Sequence, residues 1–485
     1  MVRRKLLQHT ICWCTCKFNS KSFLRFTIVT VFILFQNYTT FSQSDKQVNV
    51  LIIMTDQQFA DAMSCVMGDQ YLHTPNMDRL AENGVRFSKA YSPNPLCKPM
   101  RSSMMTGRFP HQTGVLSNEK TKIDPSENVF LGRIFKDAGY QTAYFGKWHV
   151  AFDEKQKTVH GFDIFMGDTS RLDPNPAATF LKQEHQRPFL AVASFLSPHE
   201  ICQWARFEEL PGWPIGEIPE LKNLPPLKSN MNPPENETDI MEYMRKSYHA
   251  NRRFPVGNYT EHDWRRLAWG YYRLIERADD FVGEVMDALK QSGLEEETLV
   301  LFLSDHGDCA GSHRWNQKTV FYDESSRVPF IISWKGTTEK GTSDLLLNTG
   351  TDILPTLCDF AGIQIPAHLP GKSIKAAVMG ERIPWRRNFV VSENYMVQGD
   401  PVDGISLQPR GRMVRSHRFK YCLYSEGKRR ESLVDMINDP LEMINLAEDP
   451  DYKNAIEKHR SYLKQHAEQY DDLQALKMLS ETTGN

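Results

Sequence analysis

The sequence is short of long apolar runs. Its main candidate, Phe26-Thr27-Ile28-Val29-Thr30-Val31-Phe32-Ile33-Leu34-Phe35, is too short for a comfortable membrane span. It also lacks a charge excess: 58 Lys and Arg stand against 60 Asp and Glu, for a net charge of -2. Nothing global therefore draws it to nucleic acid or to an anionic membrane surface. Internal repeats and low-complexity tracts are missing, which removes solenoids and repeat arrays from consideration. Cysteine is sparse, with nine in 485 residues. Three of these, Cys12, Cys14 and Cys16, precede the apolar run, leaving Cys65, Cys97, Cys202, Cys309, Cys358 and Cys422.

What is present begins with a leader. Arg3, Arg4, Lys5, Lys17, Lys21 and Arg25 precede the apolar run, and Thr39-Thr40-Phe41-Ser42-Gln43 follows it. This is the layout of a secretory signal over residues 1–43, with a single N-terminal anchor as the competing reading. The protein is expected to be secreted or periplasmic, with no stable membrane span once the leader is gone. The remaining length, at 40% hydrophobic residues overall, is ample for one large domain and a smaller one.

Three stretches read as strands buried on both faces of a parallel sheet. Val48–Met54 runs into Asp56 and Gln57, Phe189–Leu196 into Ser197-Pro198-His199, and Thr298–Leu303 into Ser304-Asp305-His306. Ligand-binding groups of open α/β sheets gather beyond the carboxyl ends of strands. Two strands ending in carboxylates make a metal-site layout built from distant sequence. His199 at such an end is a candidate acid. Thr142–His149 reads as a strand and its exit, with Lys147 and His149 two apart and hence on one side. Taken one at a time, a loop Asp, a surface Lys and a hydrogen-bonded His are the blander alternatives.

Leu96-Cys97-Lys98-Pro99-Met100-Arg101-Ser102-Ser103-Met104-Met105-Thr106-Gly107-Arg108 is a polar loop entering a helix, with Cys97 at the junction. Proline is tolerated in a first helical turn. The free N–H groups of that turn favour anions. Arg101 adds a fixed charge there, so a cysteine in this place tends toward thiolate. The competing reading is an inert buried cysteine.

The pattern C-x-P-x-R, followed by T-G-R, resembles the maturation signature of type I sulfatases in the alkaline phosphatase superfamily. G-K-W-H at Gly146–His149, S-P-H at Ser197–His199, and Lys318 after His313-Arg314-Trp315-Asn316-Gln317 resemble further signatures of that family. The wording is also close to bacterial polysaccharide sulfatases and to iduronate- or choline-sulfatase-like members. The resemblance implies that Cys97 is oxidised to formylglycine (3-oxoalanine) by a formylglycine-generating or anaerobic sulfatase-maturing enzyme. It implies one calcium ion held by Asp56, Gln57, residue 97, Asp305 and His306. Gln57 departs from the two adjacent Asp common in the family, and the family varies between Asn and His at His306. The implied catalytic set is Cys97, Arg101, Lys147, His149, His199 and Lys318. One hydroxyl of the aldehyde hydrate attacks sulfur, His199 or Lys318 protonates the leaving oxygen, and His149 takes the proton of the second hydroxyl. With Cys97 converted, five cysteines remain after the leader, and an odd number argues against a full disulfide framework.

Pro211 to about Pro234 is a proline-rich irregular insertion, placed as such loops are to border a cleft. His249, Arg252, Arg253 and Tyr259 follow it and are candidates to meet an anionic sugar. N-x-T sequons occur at Asn236 and Asn258, relevant only in a eukaryotic secretory route. Long helical patterns cover 263–292 and 452–470. Beyond about Trp385 short strands such as Phe389–Val391 and Phe419–Tyr424 alternate with turns. The expected architecture is therefore α/β: a large, mostly parallel sheet flanked by helices over residues 44–384, then a smaller antiparallel sheet plus helix over 385–485. The expected function is a sulfuric ester hydrolase acting on sulfated carbohydrate of ulvan or glycosaminoglycan type. Two alternatives stand beside it: a phosphonate or phosphodiester hydrolase using the same nucleophile, and a catalytically silent carbohydrate-binding relative.

Overall fold

A computed structural model describes residues 47–483; the leader and its three cysteines lie outside the described residues. Eight strands form the main sheet: β1 Asn49–Asp56, β2 Val85–Phe87, β3 Gln141–Gly146, β4 Ile164–Met166, β5 Phe189–Pro198, β6 Thr298–Ser304, β7 Phe330–Ser333 and β8 Gly341–Ser343. Their order is β4-β3-β5-β1-β6-β7-β2-β8. All neighbours pair in parallel except β7, which runs antiparallel to both β6 and β2.

The three apolar runs form the centre of this sheet, β5-β1-β6, and every residue of each is buried. Alternate side chains go to opposite faces, as the pleat requires. Val50, Ile52 and Met54 pack on one side with helices α2 (Cys97–Thr106) and α5 (Ile353–Phe360). Leu51 and Ile53 pack on the other with the long helix α4 (Glu261–Gln291). The sheet is thus a filling between two helical layers, and neither face of β1 meets water. Helix α4 starts at a capping box, Thr260 with Asp263, which satisfies two of its free N–H groups. Helix α1, Pro75–Glu82, follows Thr74 and has proline in its first turn, where the missing N–H costs nothing.

Four strands make the second sheet, all antiparallel: β9 Phe389–Tyr395, β10 Arg410–Ser416, β11 Phe419–Tyr424 and β12 Glu431–Asp435. Helices α6 (Lys453–Tyr470) and α7 (Leu473–Thr483) cover one face, with Val391, Val414, Leu423, Leu433, Ile456 and Leu463 between them. The other face packs through Met413 and Cys422 onto helix α3 (Asp239–Ala250) and onto Trp315 and Phe321, which follow β6 in the chain. The fold class is as the sequence implies. Helix α7 was not anticipated, and the proline-rich insertion is irregular apart from one turn at Leu221–Asn223. None of the six described cysteines is bonded to another. No helix among the described residues is long and apolar enough to cross a membrane.

Candidate active site

The tips of β1 and β6 and the first residue of α2 converge. Asp56, Cys97, Asp305 and His306 place one ligand atom each within 4.8 Å of one another, and all four are buried. Residues far apart in sequence meet here because parallel strands β1 and β6 end side by side, with Thr55 opposite Ser304. The pairing of β1 with β5 slips between Met54 and Asp56, and such a bulge re-aims the side chain beyond it. Helix α2 brings Cys97 to the tip from below.

Arg101, one turn into α2, holds the carboxylates apart. Its Nη2 donates to Asp56 Oδ2 at 2.9 Å and its Nε to Asp305 Oδ2 at 2.8 Å. Its Nη1 donates to the Lys147 carbonyl and to Ser194 Oγ, each at 2.8 Å. All its donors point inward, at a site with 0% exposure. Lys147 Nζ reaches Asp56 Oδ2 at 2.5 Å. Burial and the neighbouring Cys97 push the Asp56 carboxyl up, yet Lys147, His199 and Arg101 together hold it well below the usual carboxylate range. Asp305 is pushed up, first by burial and then by Asp56 beside it.

Cys97 stands in a ring of cations. Lys318 Nζ lies 3.2 Å and Lys147 Nζ 3.8 Å from its Sγ, and His306 Nε2 lies 3.0 Å away. Burial opposes ionisation, but Lys147, Lys318 and His306 hold the thiol well below its ordinary value. His149 and His199 both face the same sulfur. Burial, then Lys318 and Lys147, bring His199 down to about 3. His149 Nδ1 is buried without a protein partner.

His306 is oriented as a ligand would be. Its Nδ1 bonds the Gly307 carbonyl at 2.9 Å. A carbonyl only accepts, so Nδ1 carries a proton, and Nε2 is the nitrogen turned toward Cys97 and Asp305. Burial works against a charged imidazole here, but Asp305 and Cys97 together raise its pKa; a cation bound there would replace the Nε2 proton. Two carboxylates, an imidazole nitrogen and the atom carried by residue 97 form a donor set that fits a divalent cation. Gln57 is adjacent but engaged elsewhere. Its Oε1 accepts from Lys318 Nζ at 2.6 Å, and its Nε2 donates to Asp308 Oδ2 at 2.5 Å. Exchanging the two amide ends would set NH2 against an ammonium and oxygen against a carboxylate, so the orientation is fixed. Its backbone N–H still serves the cluster, donating to Asp305 Oδ1 at 3.1 Å, from a left-handed conformation at φ +75°.

Two expectations change in detail. Strand β3 ends at Gly146, so Lys147 and His149 share a side through the strand's exit rather than through its pleat. Gly146 has φ +93°, and a Cβ there would lie 1.9 Å from the Ser194 carbonyl; only glycine makes this exit. Among the candidate sugar contacts, His249 and Tyr259 line a common cavity, whereas Arg252 and Arg253 do not. Ser194 and Asp308 escaped the sequence reading. Ser194 sits mid-run in an apolar strand, and Asp308 acts through Gln57, so neither carries a local signal.

The sulfatase family model matches residues 48–363, which include every residue of this constellation. The chain belongs to the sulfatase family. It is a sulfuric ester hydrolase. A second model, the C-terminal region of N-sulphoglucosamine sulphohydrolase, matches residues 311–469 of this sulfatase. It is 32% identical over 463 residues to the Delta 4,5-hexuronate-2-O-sulfatase of Bacteroides thetaiotaomicron, covering 90% of this chain and 92% of the relative. It is 29% identical over 453 residues to an ulvan-active sulfatase of Formosa agariphila, covering 85% and 80%. A solved structure of a 2-O GAG sulfatase superposes with a TM-score of 0.77 at 30% identity, covering 88% of this chain and 93% of that one.

Proposed function

We propose that this sulfatase releases inorganic sulfate from sulfated carbohydrate, working outside the cytoplasm with Cys97 matured to formylglycine. One observation carries the reading: a buried thiol at a helix start, ringed by Lys147, Lys318 and two histidines, beside a carboxylate–imidazole cluster. The substrate class is supported by relatives named for hexuronate, ulvan and N-acetylglucosamine sulfate esters.

Asp56, Asp305 and His306, with the oxygen of residue 97, would hold a divalent cation, calcium in this reading. When bound, that cation supplies Lewis-acid charge and lowers the pKa of an oxygen nucleophile. An aldehyde at residue 97, once hydrated, carries two hydroxyls on one carbon, so a sulfate ester formed on one can be expelled by collapse through the other.

The side chains then divide the work. Arg101 fixes both carboxylates and cannot itself lose a proton. Lys147 and Lys318 neutralise the oxygens of a sulfate monoester as charge builds on them. Lys318 stands beside residue 97 to deliver a proton to the departing sugar oxygen, while His199, held neutral by burial and the two lysines, offers that oxygen a hydrogen bond. His149, with a free Nδ1, accepts the proton released on collapse. Gln57 and Asp308 keep the Lys318 ammonium in place.

The test is release of sulfate from defined sulfated oligosaccharides, by protein co-expressed with a maturing enzyme, with phosphodiester substrates run in parallel. Sulfate release is expected, together with a peptide mass at residue 97 that reports conversion of thiol to aldehyde. Cys97→Ala should lose at least about 10⁴-fold in turnover, as loss of a nucleophile does, while the circular dichroism spectrum is retained. Near-normal turnover in that variant rejects the mechanism, and preferential phosphodiester cleavage rejects the substrate class.

A further inference from the structure

A cavity of about 450 Å³ lies between α3, the start of α4 and the loop that carries Lys318. Its charge is unequal. Arg245, Lys246, Arg314 and Arg429 line it, against Glu237 and Glu242. Arg245 is taken by Glu237 at 2.6 Å and Lys246 by Glu242 at 2.8 Å. Arg429 leans on Asp239 at 3.5 Å. The exposed Arg314 guanidinium has no ion pair and no hydrogen bond to the described residues, so the cavity keeps one uncompensated, always-charged fork.

The rest of the lining suits a sugar. Tyr259 and Trp264 meet edge to face with centroids 5.1 Å apart, giving an apolar wall. His249 Nε2 donates to the Arg314 carbonyl at 2.8 Å, so its Nδ1 is left as an acceptor for a hydroxyl.

The cavity is tied to the catalytic cluster by two routes. Arg314 is four residues before Lys318 in the same loop. Trp264 is seven residues before Tyr271 on α4, about 10 Å along the axis at ~1.5 Å per residue. Tyr271 Oη in turn donates to the Gln57 carbonyl at 2.7 Å. The cavity thus shares a loop and a helix with the cluster but none of its residues, the placement of a site for a neighbouring unit of the same carbohydrate chain rather than for the sulfate being cleaved.

The geometry points to Arg314 as the specificity-determining residue of a second subsite, which takes an anionic group of a neighbouring sugar. The inference rests on the carbohydrate reading above and sharpens it: the enzyme acts on acidic oligosaccharides rather than on lone sulfated monosaccharides. The shared chemistry is a carboxylate or a second sulfate held bidentately by a guanidinium.

The test compares sulfate release from heparin- and chondroitin-sulfate-derived tetrasaccharides with hydrolysis of 4-nitrophenyl sulfate. The variants are Arg314→Asn, chosen because asparagine tolerates the left-handed backbone at φ +57°, and Arg314→Lys. The ratio of kcat/KM on tetrasaccharide to kcat/KM on the aryl sulfate should fall about 10- to 100-fold in Arg314→Asn, through KM, as expected for a lost charge-assisted contact. Arg314→Lys should recover part of it. Carboxyl-reduced tetrasaccharides should lose the same factor if a carboxylate is held, and selectively desulfated ones if a sulfate is. A ratio unchanged within about twofold overturns the subsite, whether both activities fall or neither does. If the wild type cleaves 4-nitrophenyl sulfate but no tetrasaccharide, the carbohydrate reading fails. Titration calorimetry of the same tetrasaccharides then judges the cavity alone: absent binding, or binding that Arg314→Asn does not weaken, overturns it.

Discussion

At the scale of single residues, Arg101 is the side chain with most depending on it. It neutralises Asp56 and Asp305 together and is fully enclosed. Removing one partner from a buried ionic group leaves an uncompensated charge and costs about 3–5 kcal/mol. Arg101→Ala is therefore expected to lower the urea midpoint markedly as well as to abolish turnover. An unchanged midpoint would mean that Lys147 and solvent suffice for both carboxylates. The cation makes a second residue-scale prediction. Chelation should remove activity, and re-addition should restore it while raising stability by about 2.7 kcal/mol at a hundredfold excess over Kd. Because His306 adds an imidazole to the oxygen donors, manganese and zinc belong in the re-addition series beside calcium. Restoration by an imidazole-preferring metal alone would reject calcium.

At the scale of elements, the loop after β6 shows what a local reading cannot reach. The strands were legible because a run buried on both faces leaves an unbroken apolar signature, as in Leu299–Leu303. Asp56 and Asp305 were legible because they follow such runs directly. Lys318 was legible only through family resemblance, since its loop has no period. Ala310, His313, Arg314, Gln317 and Thr319 all adopt positive φ, and such conformations persist only where surroundings impose them. The surroundings come from far along the chain. The Asn230 carbonyl accepts from the His313 N–H at 2.7 Å, Asn230 Nδ2 donates to Glu324 Oε1 at 2.7 Å, and Ser312 Oγ donates to the same oxygen at 2.8 Å. Asp308 Oδ1 accepts from the N–H groups of Ala310 and Gln317. Asn230→Ala should loosen this loop and lower kcat about tenfold by misplacing Lys318, on the scale a small displacement costs, with little change in the urea midpoint. Equal loss of stability and activity would mark Asn230 as merely structural. Helix α7 was missed because Asp471, at φ +59°, turns the chain after α6 without a glycine or proline to announce it.

At the scale of the whole molecule, the segment after α2 is joined to the four-stranded sheet and its helices by a mostly buried ionic contact. His111, after α2, bonds Glu393 of β9 through Nδ1 at 2.6 Å and the Tyr470 carbonyl at the end of α6 through Nε2 at 2.9 Å. Arg412 of β10 grips Asp472 and faces Glu393 at 3.5 Å, and His466 of α6 packs edge-on to His111. Burial works against a charged His111, but Glu393, and behind it Asp472, raise its pKa. A raised pKa stabilises the fold fully below the unfolded value of about 6.5, and that contribution is lost as pH rises through the folded value. His466 has the opposite sign. Burial, then His111, bring it down to about 3, so it costs stability as pH falls below about 6.5. His111→Gln should thus lower the urea midpoint most at pH 5.5 and least at pH 9. A pH-independent difference would show that the contact acts as an uncharged hydrogen bond.

The enclosure of Cys97 has a consequence for timing. Its sulfur has no exposed surface, and α2, two strand tips and the Lys318 loop close over it. A modifying catalyst needs to grip several residues on either side of its target, and those same residues become α2 and the chain leading into it. If residue 97 is matured as proposed above, the catalyst must therefore meet this segment before it folds. Under that proposal a chain that folds first is locked out of maturation for as long as it stays folded, and the yield of competent enzyme becomes a race between two clocks.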